Sequence, residues 1–367
     1  MLNIYFFTSF GRLDQLPAGG GQTASRRLWH TLEKIGFNVE IFNRHRYYWY
    51  KGIIRTFLIK IWLILDPIWL FFKLLFRRRK DSAVLFMTYA GGLLPFDWAI
   101  TMVASLSGHR LLMYLAGGQA KPVYEKGGRI YKWLFKHTML HYDLILCEGE
   151  VTADLIKRST DNVVKTFYLP NFTEDNFAPD CLIDKPTDKI NIIYFGRICD
   201  NKKVLLGIDI FDQLCKKYNN LQYTIIGSGD LEYEKKVALR IESSPNKKRI
   251  FRYGLSPHDF ILEKLKKTHF YLFPSCEPCE GHSNALNEAM SWGVVPVVSD
   301  NNFLPSIVGN NRLVAHELTT EVYTKIISDI IDSGDFEKLS KEMFDRVKKN
   351  FTQSVVEIKL KEALSDI

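Results

Sequence analysis

The chain has 367 residues, of which 46% are hydrophobic, 25% charged and 13% aromatic. This apolar content can bury a sizeable core, which excludes a disordered chain. The 23 glycines and 13 prolines are too few for a collagen-like or low-complexity chain. At roughly 100–200 residues per domain, the length indicates two domains.

The positive charge is concentrated at the start of the sequence. Residues 1–80 contain 14 Lys and Arg against 4 Asp and Glu, a net of +10, so residues 81–367 carry a net of −2 within the total of +8. Such a region points to an anionic partner: membrane lipid, phosphorylated substrate or nucleic acid. Nucleic acid is disfavoured, because the basic run lies beside apolar residues and not in a groove interleaved with aromatic ones.

Strands and helices alternate along the first half of the chain. The apolar run at 2–7 has no basic segment before it, so we expect a buried strand there and no signal peptide. The predicted strands of this half are 2–7, 37–42, 83–88, 111–115, 144–147 and 164–169, and the predicted helices are 22–35 and 94–106.

The stretch 53–76 contains 18 apolar residues among 24. Four charged residues interrupt it: Arg55, Lys60, Asp66 and Lys73. No uncharged run in it exceeds six residues, whereas a membrane-spanning helix needs roughly 18. The stretch is therefore not expected to span a membrane.

A helical projection of 51–80 instead predicts a helix that lies in the membrane interface. One arc of about 80° holds Lys51, Arg55, Asp66, Lys73, Arg77 and Lys80, and Lys60 lies opposite it. This leaves a broad apolar face with Trp62 and Trp69. We expect Pro67 to split the segment into two helices. The alternative is a buried helical pair of the domain core.

The segment 171–188 is polar and free of predicted strands, as is typical of a linker. After it the alternation restarts, which predicts a second doubly wound parallel sheet of similar size. The predicted strands are 190–195, 223–227, 270–273 and 294–299, and the predicted helices are 205–217, 233–241 and 285–292. Since ligands bind at the carboxyl ends of such strands, we expect the ligand in a cleft between the two domains.

Six cysteines are too few for a disulfide scaffold and favour a reducing cytoplasm. Cys276 and Cys279 form a CxxC pair. A zinc site would need a second such pair, which the spacing of Cys199 and Cys215 does not provide, and a redox pair would normally open a helix in a thioredoxin-like unit. Two ordinary thiols in a loop are the favoured interpretation.

Two glycine-containing turns allow close approach of a ligand. Gly19-Gly20-Gly21 precedes the first helix, whose N-terminus offers N–H groups and a positive dipole end to an anion. Gly227-Ser228-Gly229 follows a strand, but a dinucleotide fingerprint needs a third glycine where this chain has Glu232. An NAD site is therefore disfavoured.

Two cations and two carboxylates stand near strand ends in the second half. Arg197 follows Gly196 at the end of a strand, and Lys202 lies five residues further on, a pair suited to a diphosphate. Glu280 and Glu288 are eight residues apart around a predicted helix. Two helical turns would separate them, so both would face one ligand that runs along the helix.

The Glu-x7-Glu spacing, with Pro-Ser before it and Glu-Ala-Met…Gly…Pro-Val-Val after it, resembles the donor-site signature of retaining glycosyltransferases of family 4, which have the GT-B fold. The Gly-Arg…Lys pattern at 196–202 and the N-terminal glycine loop are similar to further blocks of that family. The resemblance covers nearly the whole chain and is strongest over 190–309. It is closest to the type that acts in bacterial surface-polysaccharide or lipopolysaccharide biosynthesis.

The resemblance implies a role for each candidate residue. Arg197 and Lys202 would hold the donor diphosphate, Glu280 would lie near the transferred sugar, and these three are the catalytic candidates. Glu288 would hold the ribose hydroxyls. The remaining donor-binding candidates are Gly20, Gly21, Gly196, Gly227, Ser283 and Asn284.

The resemblance also implies an α/β architecture of two Rossmann-like domains facing a central cleft. Residues 1–172 would form the acceptor-side domain, with the membrane-interface helices at about 51–80. Residues 173–188 would be a linker and 189–345 the nucleotide-sugar-binding domain. Residues 346–367 would form a C-terminal helix that returns to the N-terminal domain.

Three positions need comment against the family pattern. Many members carry a histidine after a central strand of the N-terminal domain, where this chain has Ala116-Gly117-Gly118-Gln119, so Gln119 is the candidate for the sugar contact. Lys203 replaces a glycine that often follows the phosphate lysine. His282 lies inside the signature, and we expect it to shape the loop and not to transfer protons.

The expected reaction needs neither a metal nor a cofactor besides the nucleotide-sugar substrate. The sequence contains no Asp-x-Asp, so Arg197, Lys202 and a helix dipole would neutralise the leaving diphosphate. By the resemblance, the acceptor hydroxyl attacks on the face of the leaving group, with retention. The expected donor is a UDP-sugar that carries a hexose or an N-acetylhexosamine.

The expected partners are the nucleotide sugar, a lipid-linked or other glycan acceptor and an anionic membrane surface, without nucleic acid. The expected location is the cytoplasm, with peripheral attachment to the inner face of the cell membrane. One alternative is a non-catalytic, membrane-docked GT-B subunit. Another is a sugar-nucleotide epimerase or glycosyl phosphorylase of the same architecture.

Overall fold

The computed structural model of the chain describes residues 2–15, 20–44, 52–77 and 80–365. Internal contacts divide the chain into two compact units. The first comprises the residues up to Pro170 and those from Glu357 on, and the second comprises Asn171–Val356. Within the described ranges, no helix is long and apolar enough to cross a membrane.

The first unit is a six-stranded parallel sheet with helices packed on it. Its strands are β1 (Asn3–Thr8), β2 (Asn38–Asn43), β3 (Ser82–Thr88), β4 (Arg110–Leu115), β5 (Leu144–Cys147) and β6 (Thr166–Tyr168). Its helices up to residue 170 are α1 (Gly20–Lys34), α2 (Gly52–Leu75), α3 (Leu94–Leu106), α4 (Ala120–Lys126), α5 (Arg129–Met139) and α6 (Glu150–Ser159). The strand order is β2-β1-β3-β4-β5-β6.

Helices α2, α3 and α5 lie in one layer on this sheet. The connections from β2 to β3, β3 to β4 and β4 to β5 all advance in the same direction across the sheet, and right-handed crossovers then place α2, α3 and α5 on one face. Accordingly, α2 packs on α3 and α3 packs on α5. Leu70 and Leu74 of α2 are fully buried in the core, where Phe7 stacks on Phe86 at a ring-centroid distance of 5.8 Å.

Helix α2 runs unbroken through Pro67, so the predicted split into two helices is wrong. A proline inside a helix removes one backbone hydrogen bond. The adjacent Asp66 makes a tertiary contact, because its carboxylate accepts a hydrogen bond from Arg44 Nε at 2.9 Å. Both side chains of this ion pair are buried, so it fastens the middle of α2 to the sheet.

The same ion pair sets which face of α2 points outward. The charged residues were predicted to border the apolar face on the outside of the helix, but Asp66 is buried against the sheet. Trp69 is half-buried with its ring centroid 5.9 Å from that of Phe42, so its predicted place on a membrane-facing side is wrong. Among the side chains of this region that the structure describes, the exposed large apolar ones are Ile53, Phe57, Ile64, Leu65, Ile68, Phe72, Leu75 and Phe76.

The basic run after α2 is only partly described. Arg77 Nε donates to Glu40 Oε2 at 3.0 Å, so this guanidinium pairs with an acid of β2. Residues 78 and 79 lie outside the described residues. Lys80 is exposed.

The second unit is another six-stranded parallel sheet. Its strands are β7 (Ile190–Phe195), β8 (Leu221–Ile226), β9 (Ile250–Tyr253), β10 (Phe270–Phe273), β11 (Val295–Ser299) and β12 (Val314–Ala315). Its helices are α7 (Val204–Leu214), α8 (Leu231–Glu242), α9 (His258–Leu265), α10 (Asn284–Ser291), α11 (Leu304–Val308), α12 (Thr320–Ser333) and α13 (Phe336–Asn350). The strand order is β12-β11-β10-β7-β8-β9, which confirms the prediction of two doubly wound sheets.

The polar segment 173–188, every residue of which is described, contains no helix or strand and packs on the second unit. Phe177 is buried and stacks on His258 at 4.4 Å. Lys185 Nζ donates to the carbonyls of Leu265 and Trp292, both at 2.8 Å, and burial lowers the pKa of Lys185 to about 8. A linker function for the segment stays a prediction.

Helix α14 (Gln353–Ser365) follows α13. From Glu357 on, it is part of the first unit, where Glu357 pairs with Lys34 of α1 at 2.8 Å.

Candidate active site

In the second unit, β7 and β10 are neighbours, yet the chain leaves them in opposite directions. From β7 it continues to β8 and β9, and from β10 to β11 and β12. The loops at the carboxyl ends of these two strands therefore diverge and open a crevice, the usual ligand position of a parallel sheet. The loops also touch, because the Cys276 N–H donates to the Asn201 carbonyl at 2.8 Å.

Lys202 and Glu280 form an ion pair between these two loops. Ser275 Oγ donates to the same carboxylate oxygen, Glu280 Oε2. The Lys202 ammonium lies 4.9 Å from the centroid of the Phe273 ring. The Lys202 and Glu280 side chains are 12% and 9% exposed, so water screens their attraction only weakly.

A second ion pair lies beside the first. Arg197 Nη2 donates to Glu277 Oε2 at 2.8 Å, and the Arg197 side chain is 63% exposed, so it remains accessible to a ligand. Glu277 was not among the predicted residues. The available signal was its place in the acidic loop, three residues before Glu280. The crevice thus brings two predicted cations together with two carboxylates.

Glu280 and Glu288 are not separated by the two helical turns that their spacing suggested. Helix α10 begins at Asn284, so Glu280 belongs to the loop before it and only Glu288 lies on the helix; the prediction of two intervening helical turns is wrong. Ser283 caps this helix, because its Oγ accepts a hydrogen bond from the Leu286 N–H at 3.3 Å. Glu288 Oε1 lies 3.9 Å from His258 Nε2.

His282 is a structural residue of the signature loop. It is 2% exposed, its Nε2 donates to Asn287 Oδ1 at 3.0 Å, and its carbonyl accepts from Asn171 Nδ2 at 2.8 Å. Asn287 Nδ2 in turn donates to the Asn171 carbonyl at 2.9 Å. Burial lowers the pKa of His282 to about 4, so the ring is neutral at pH 7. This geometry agrees with the loop-shaping role expected from the sequence.

Gly227 packs the end of β8 against the end of β7. Its φ is +137°, and a Cβ on it would lie 1.9 Å from the Gly196 carbonyl oxygen, so only glycine fits. The nearby Gly229 N–H donates to Glu234 Oε1 at 2.6 Å and so already has an acidic partner. Gly196 and Gly227 serve this backbone packing, and direct donor contact by either stays a prediction.

The first unit has a corresponding crevice between β1 and β3, from which the chain also leaves in opposite directions. Gly20 and Gly21 are the first residues of α1, and a Cβ on Gly21 would lie 1.9 Å from Tyr89 Oη. A Cβ on Gly91 would lie 3.0 Å from the side chain of Gln119. Gly21 and Gln119 therefore both border the loop that follows β3. Gly19 lies outside the described residues.

Glu148 is a further residue of this edge that was not predicted. It directly follows β5 and is 5% exposed, and its carboxylate accepts a hydrogen bond from the Gly117 N–H. Gly117 belongs to the turn that leads from β4 to Gln119, so the buried carboxylate fixes this turn. Burial raises the pKa of Tyr114, and the proximity of Glu148 raises it further. An acidic residue at the end of an apolar strand was the signal in the sequence.

In the part of the chain that the structure describes, no three His, Cys, Asp or Glu side chains are grouped so as to hold a metal ion. All six cysteines carry free thiols.

Residues 183–350 match the family model described as Glycosyl transferases group 1. The match spans both loops of the crevice in the second unit, with Arg197, Lys202, Glu280 and Glu288. Residues 183–350 are therefore similar to a glycosyltransferase group 1 domain.

Two curated relatives illustrate the sequence similarity. The phosphatidylinositol N-acetylglucosaminyltransferase GPI3 subunit of Saccharomyces cerevisiae is 23% identical over 234 residues, 58% of this chain and 50% of the yeast protein. The amylovoran biosynthesis glycosyltransferase AmsK of Erwinia amylovora is 28% identical over 126 residues, 33% of this chain and 30% of that protein. The chain thus spans half the length or less of the curated relatives it matches.

Solved structures show the fold. Sucrose-phosphate synthase from Thermosynechococcus elongatus is 15% identical with a TM-score of 0.75 over 100% of this chain and 99% of that one. Anabaena HepE in complex with UDP and glucose is 12% identical with a TM-score of 0.69 over 100% of both chains. The pneumococcal O-GlcNAc transferase GtfA in complex with UDP and GlcNAc is 15% identical with a TM-score of 0.60 over 78% of this chain and 57% of that one. The GT-B fold predicted from the sequence is confirmed.

Proposed function

We propose that the chain is a retaining glycosyltransferase that moves a sugar from a nucleotide-diphosphate sugar to a lipid-linked glycan acceptor in the assembly of a cell-surface polysaccharide. The observation that carries this proposal is the convergence of Lys202 and Arg197 on one crevice of a glycosyltransferase group 1 domain. Two cations at one strand edge suit a leaving diphosphate.

The donor in this proposal is a UDP-sugar with a hexose or an N-acetylhexosamine. Two proteins of the same fold were solved with UDP, one with glucose and one with GlcNAc. The yeast relative is named as a subunit of an N-acetylglucosaminyltransferase. Glu288 on α10 binds the ribose hydroxyls, and the N-terminus of α10 at Ser283 and Asn284 faces the phosphates.

The proposed reaction exchanges one bond at the anomeric carbon. The bond to the diphosphate breaks, and the bond to the acceptor oxygen forms on the same face, so the configuration is retained. Arg197, Lys202 and the α10 N-terminus stabilise the negative charge that develops on the leaving phosphate. The acceptor proton passes to that phosphate, and Glu280 holds hydroxyls of the donor sugar beside it.

We propose that this transfer does not depend on a metal. The support is the sequence, which has no Asp-x-Asp, and the presence of two side-chain cations where a metal would otherwise neutralise the diphosphate. Excess EDTA is expected to leave most of the activity. Complete loss that manganese restores would refute this part of the proposal.

The outer face of α2 supports the proposal of a lipid-linked acceptor and of peripheral attachment to the inner face of the cell membrane. Its exposed apolar side chains, among them Ile53 (88%) and Phe57 (63%), lie along one face, with Lys60 and Lys73 exposed beside them. Such a helix binds the interface of a bilayer through apolar burial and charge. A soluble acceptor gives no reason for this surface.

A panel of nucleotide sugars tests the proposed donor class. The purified chain is incubated with UDP-, GDP-, ADP- and dTDP-sugars, and release of the nucleotide diphosphate by hydrolysis is measured. Hydrolysis of a UDP-hexose or UDP-N-acetylhexosamine, above that of the other nucleotides, is the expected result. Hydrolysis of another class alone would overturn the UDP assignment, and no hydrolysis of any would count against an active transferase.

A further inference from the structure

A second exposed apolar surface of the first unit lies on α5. Ile130 is 83% exposed and Trp133 is 60% exposed. They stand three residues apart, so they are neighbours on one face of the helix. Two large apolar side chains thus face solvent within a single helical turn.

The Trp133 ring is held in one orientation. It stacks on the ring of His137 at a centroid distance of 5.2 Å and an interplanar angle of 26°. His137 is fixed in turn, because its Nδ1 accepts a hydrogen bond from Trp98 Nε1 of α3 at 3.1 Å. The contact with His137, and that of His137 with Trp98, therefore hold the exposed indole in a fixed orientation.

Positive charge surrounds these two residues. The segment 120–141 has five basic side chains against one acid, Glu125, a net of +4. The basic side chains are Lys121, Lys126, Arg129, Lys132 and Lys136. Of these, Lys136 pairs with Asp161 at 2.6 Å and Lys121 lies 3.9 Å from Glu125, while Lys126 and Arg129 are exposed. This local excess of positive charge is not apparent from the net charge of −2 over residues 81–367.

The surface on α5 and the outer face of α2 belong to the same layer. Helices of a parallel α/β unit run opposite to the strands, so the N-terminal halves of α2 and α5 lie at the carboxyl edge of the sheet. Ile53 and Phe57 are exposed in that half of α2, as Ile130 and Trp133 are in that half of α5. This is also the edge that carries Gln119.

We propose that Ile130 and Trp133, bordered by Lys126 and Arg129, form a second membrane-contact site for an anionic phospholipid bilayer. The apolar pair enters the region between headgroups and acyl chains, where tryptophan is favoured, and the two cations contact anionic headgroups. A single amphipathic helix can roll about its axis on a membrane, whereas contacts on both sides of α3 fix the tilt of the unit. The inference rests on the proposed lipid-linked acceptor, since a fixed tilt keeps the carboxyl edge facing that substrate.

Vesicle co-sedimentation tests this site with the full chain. The vesicles are phosphatidylcholine alone or phosphatidylcholine mixed with phosphatidylglycerol. The apolar variant Ile130→Ser/Trp133→Ser is expected to partition about tenfold more weakly onto the mixed vesicles. The charge variant Lys126→Gln/Arg129→Gln is expected to lose part of the preference for phosphatidylglycerol. The matched control Leu239→Ser/Leu255→Ser removes two side chains of the second unit that are 71% and 87% exposed, and should bind like wild type.

Partitioning of the apolar variant equal to wild type, with an unchanged circular dichroism spectrum, would overturn the inference. If that variant does not fold, Trp133→Phe replaces it, and quenching of tryptophan fluorescence by brominated lipid is compared with wild type. Lower quenching supports the site, and equal quenching overturns it. The vesicles contain neither donor nor acceptor, so failure here leaves sugar transfer untouched, and failure of the donor panel leaves vesicle binding untouched.

Discussion

Lys202, in the loop after β7, forms an ion pair with Glu280, in the loop after β10, and so links the two sides of the crevice at the centre of the second sheet. Both side chains are largely withdrawn from water. The pair holds the ammonium at the point where the leaving diphosphate is proposed to bind. It also means that removal of the lysine leaves a buried carboxylate without its cation, which any substitution there must take into account.

The Lys202→Gln variant tests the proposed role of this ammonium. Glutamine keeps a hydrogen-bond donor for Glu280 but removes the charge, so the fold should persist while the leaving phosphate loses its stabilisation. Loss of one such group typically costs about 2.7–4 kcal/mol of barrier, or about 10²–10³ in kcat. The neighbouring Lys203→Gln serves as control in the same steady-state assay. Equal kcat for both variants would show that Lys202 does not act on the leaving group.

Glu288 is predicted to contribute to nucleotide binding more than to turnover. The Glu288→Ala variant should bind UDP about 10–100-fold more weakly, because charge-assisted hydrogen bonds to the ribose are lost. Isothermal titration calorimetry measures the effect directly, and Glu232→Ala, an exposed acid of α8, is the control. If UDP binds Glu288→Ala as tightly as wild type, the ribose role is wrong.

Gly227 is predicted to tolerate no side chain. The Gly227→Ala methyl group would collide with the Gly196 carbonyl, in a backbone conformation that already disfavours alanine, so we expect a loss of about 2–3 kcal/mol in unfolding free energy. Gly254→Ala is the matched control, since Gly254 follows the adjacent β9 and a Cβ there meets nothing within 4 Å. Urea unfolding should give a clearly lower unfolding free energy for Gly227→Ala than for Gly254→Ala. Similar stabilities would contradict the observed packing of β7 on β8.

Stability is predicted to fall as the pH drops from 6.5 to 4. Burial lowers the pKa of both His282 and His269 from 6.5 to about 4 in the folded state. In this window the unfolded chain binds more protons than the folded one, so each histidine reduces the unfolding free energy by up to about 1.4 kcal/mol per pH unit. Above pH 6.5 both contributions are fully present.

The histidine contribution is measured by urea unfolding at pH 7 and pH 5. The His282→Gln variant should show a smaller difference between its unfolding free energies at pH 7 and pH 5 than wild type, because glutamine does not titrate. This holds whatever the effect of the substitution on stability at pH 7. His269→Gln should act in the same direction. An unchanged difference in both variants would show that other groups govern the pH dependence.

The alternation of strand and helix patterns in the sequence predicted the two sheets. The local rules failed to predict those elements whose structure depends on tertiary contacts. Strand β9 has only four residues and includes Arg252, and β12 has two residues, so neither gives a recognisable pattern. The proline rule predicted a break at Pro67, but α2 continues through it, and the buried pair of Asp66 with Arg44 lies beside the proline.

For the site, too, the sequence predicted some residues and not others. The place of Lys202 after a strand end, together with the family resemblance, singled out this residue, which the fold brings to Glu280. Glu148 stands out in the sequence as an acid after an apolar strand, but its partner, the Gly117 turn that follows another strand, is set by the fold and could not be predicted. Lys203, which departs from the family pattern, adopts a φ of +52°, a left-handed conformation that explains why glycine is favoured there.

The most direct test of the account is transfer of sugar from radiolabelled UDP-sugar to lipid. The chain is incubated with UDP-[14C]-sugars and membranes that contain lipid-linked glycans, and label is counted in the organic-solvent extract. The account predicts label in the lipid fraction with wild type, in the presence of EDTA, and at most about 1% of that rate with Lys202→Gln. Label that remains entirely in water-soluble products, or equal labelling of lipid by wild type and Lys202→Gln, would contradict it.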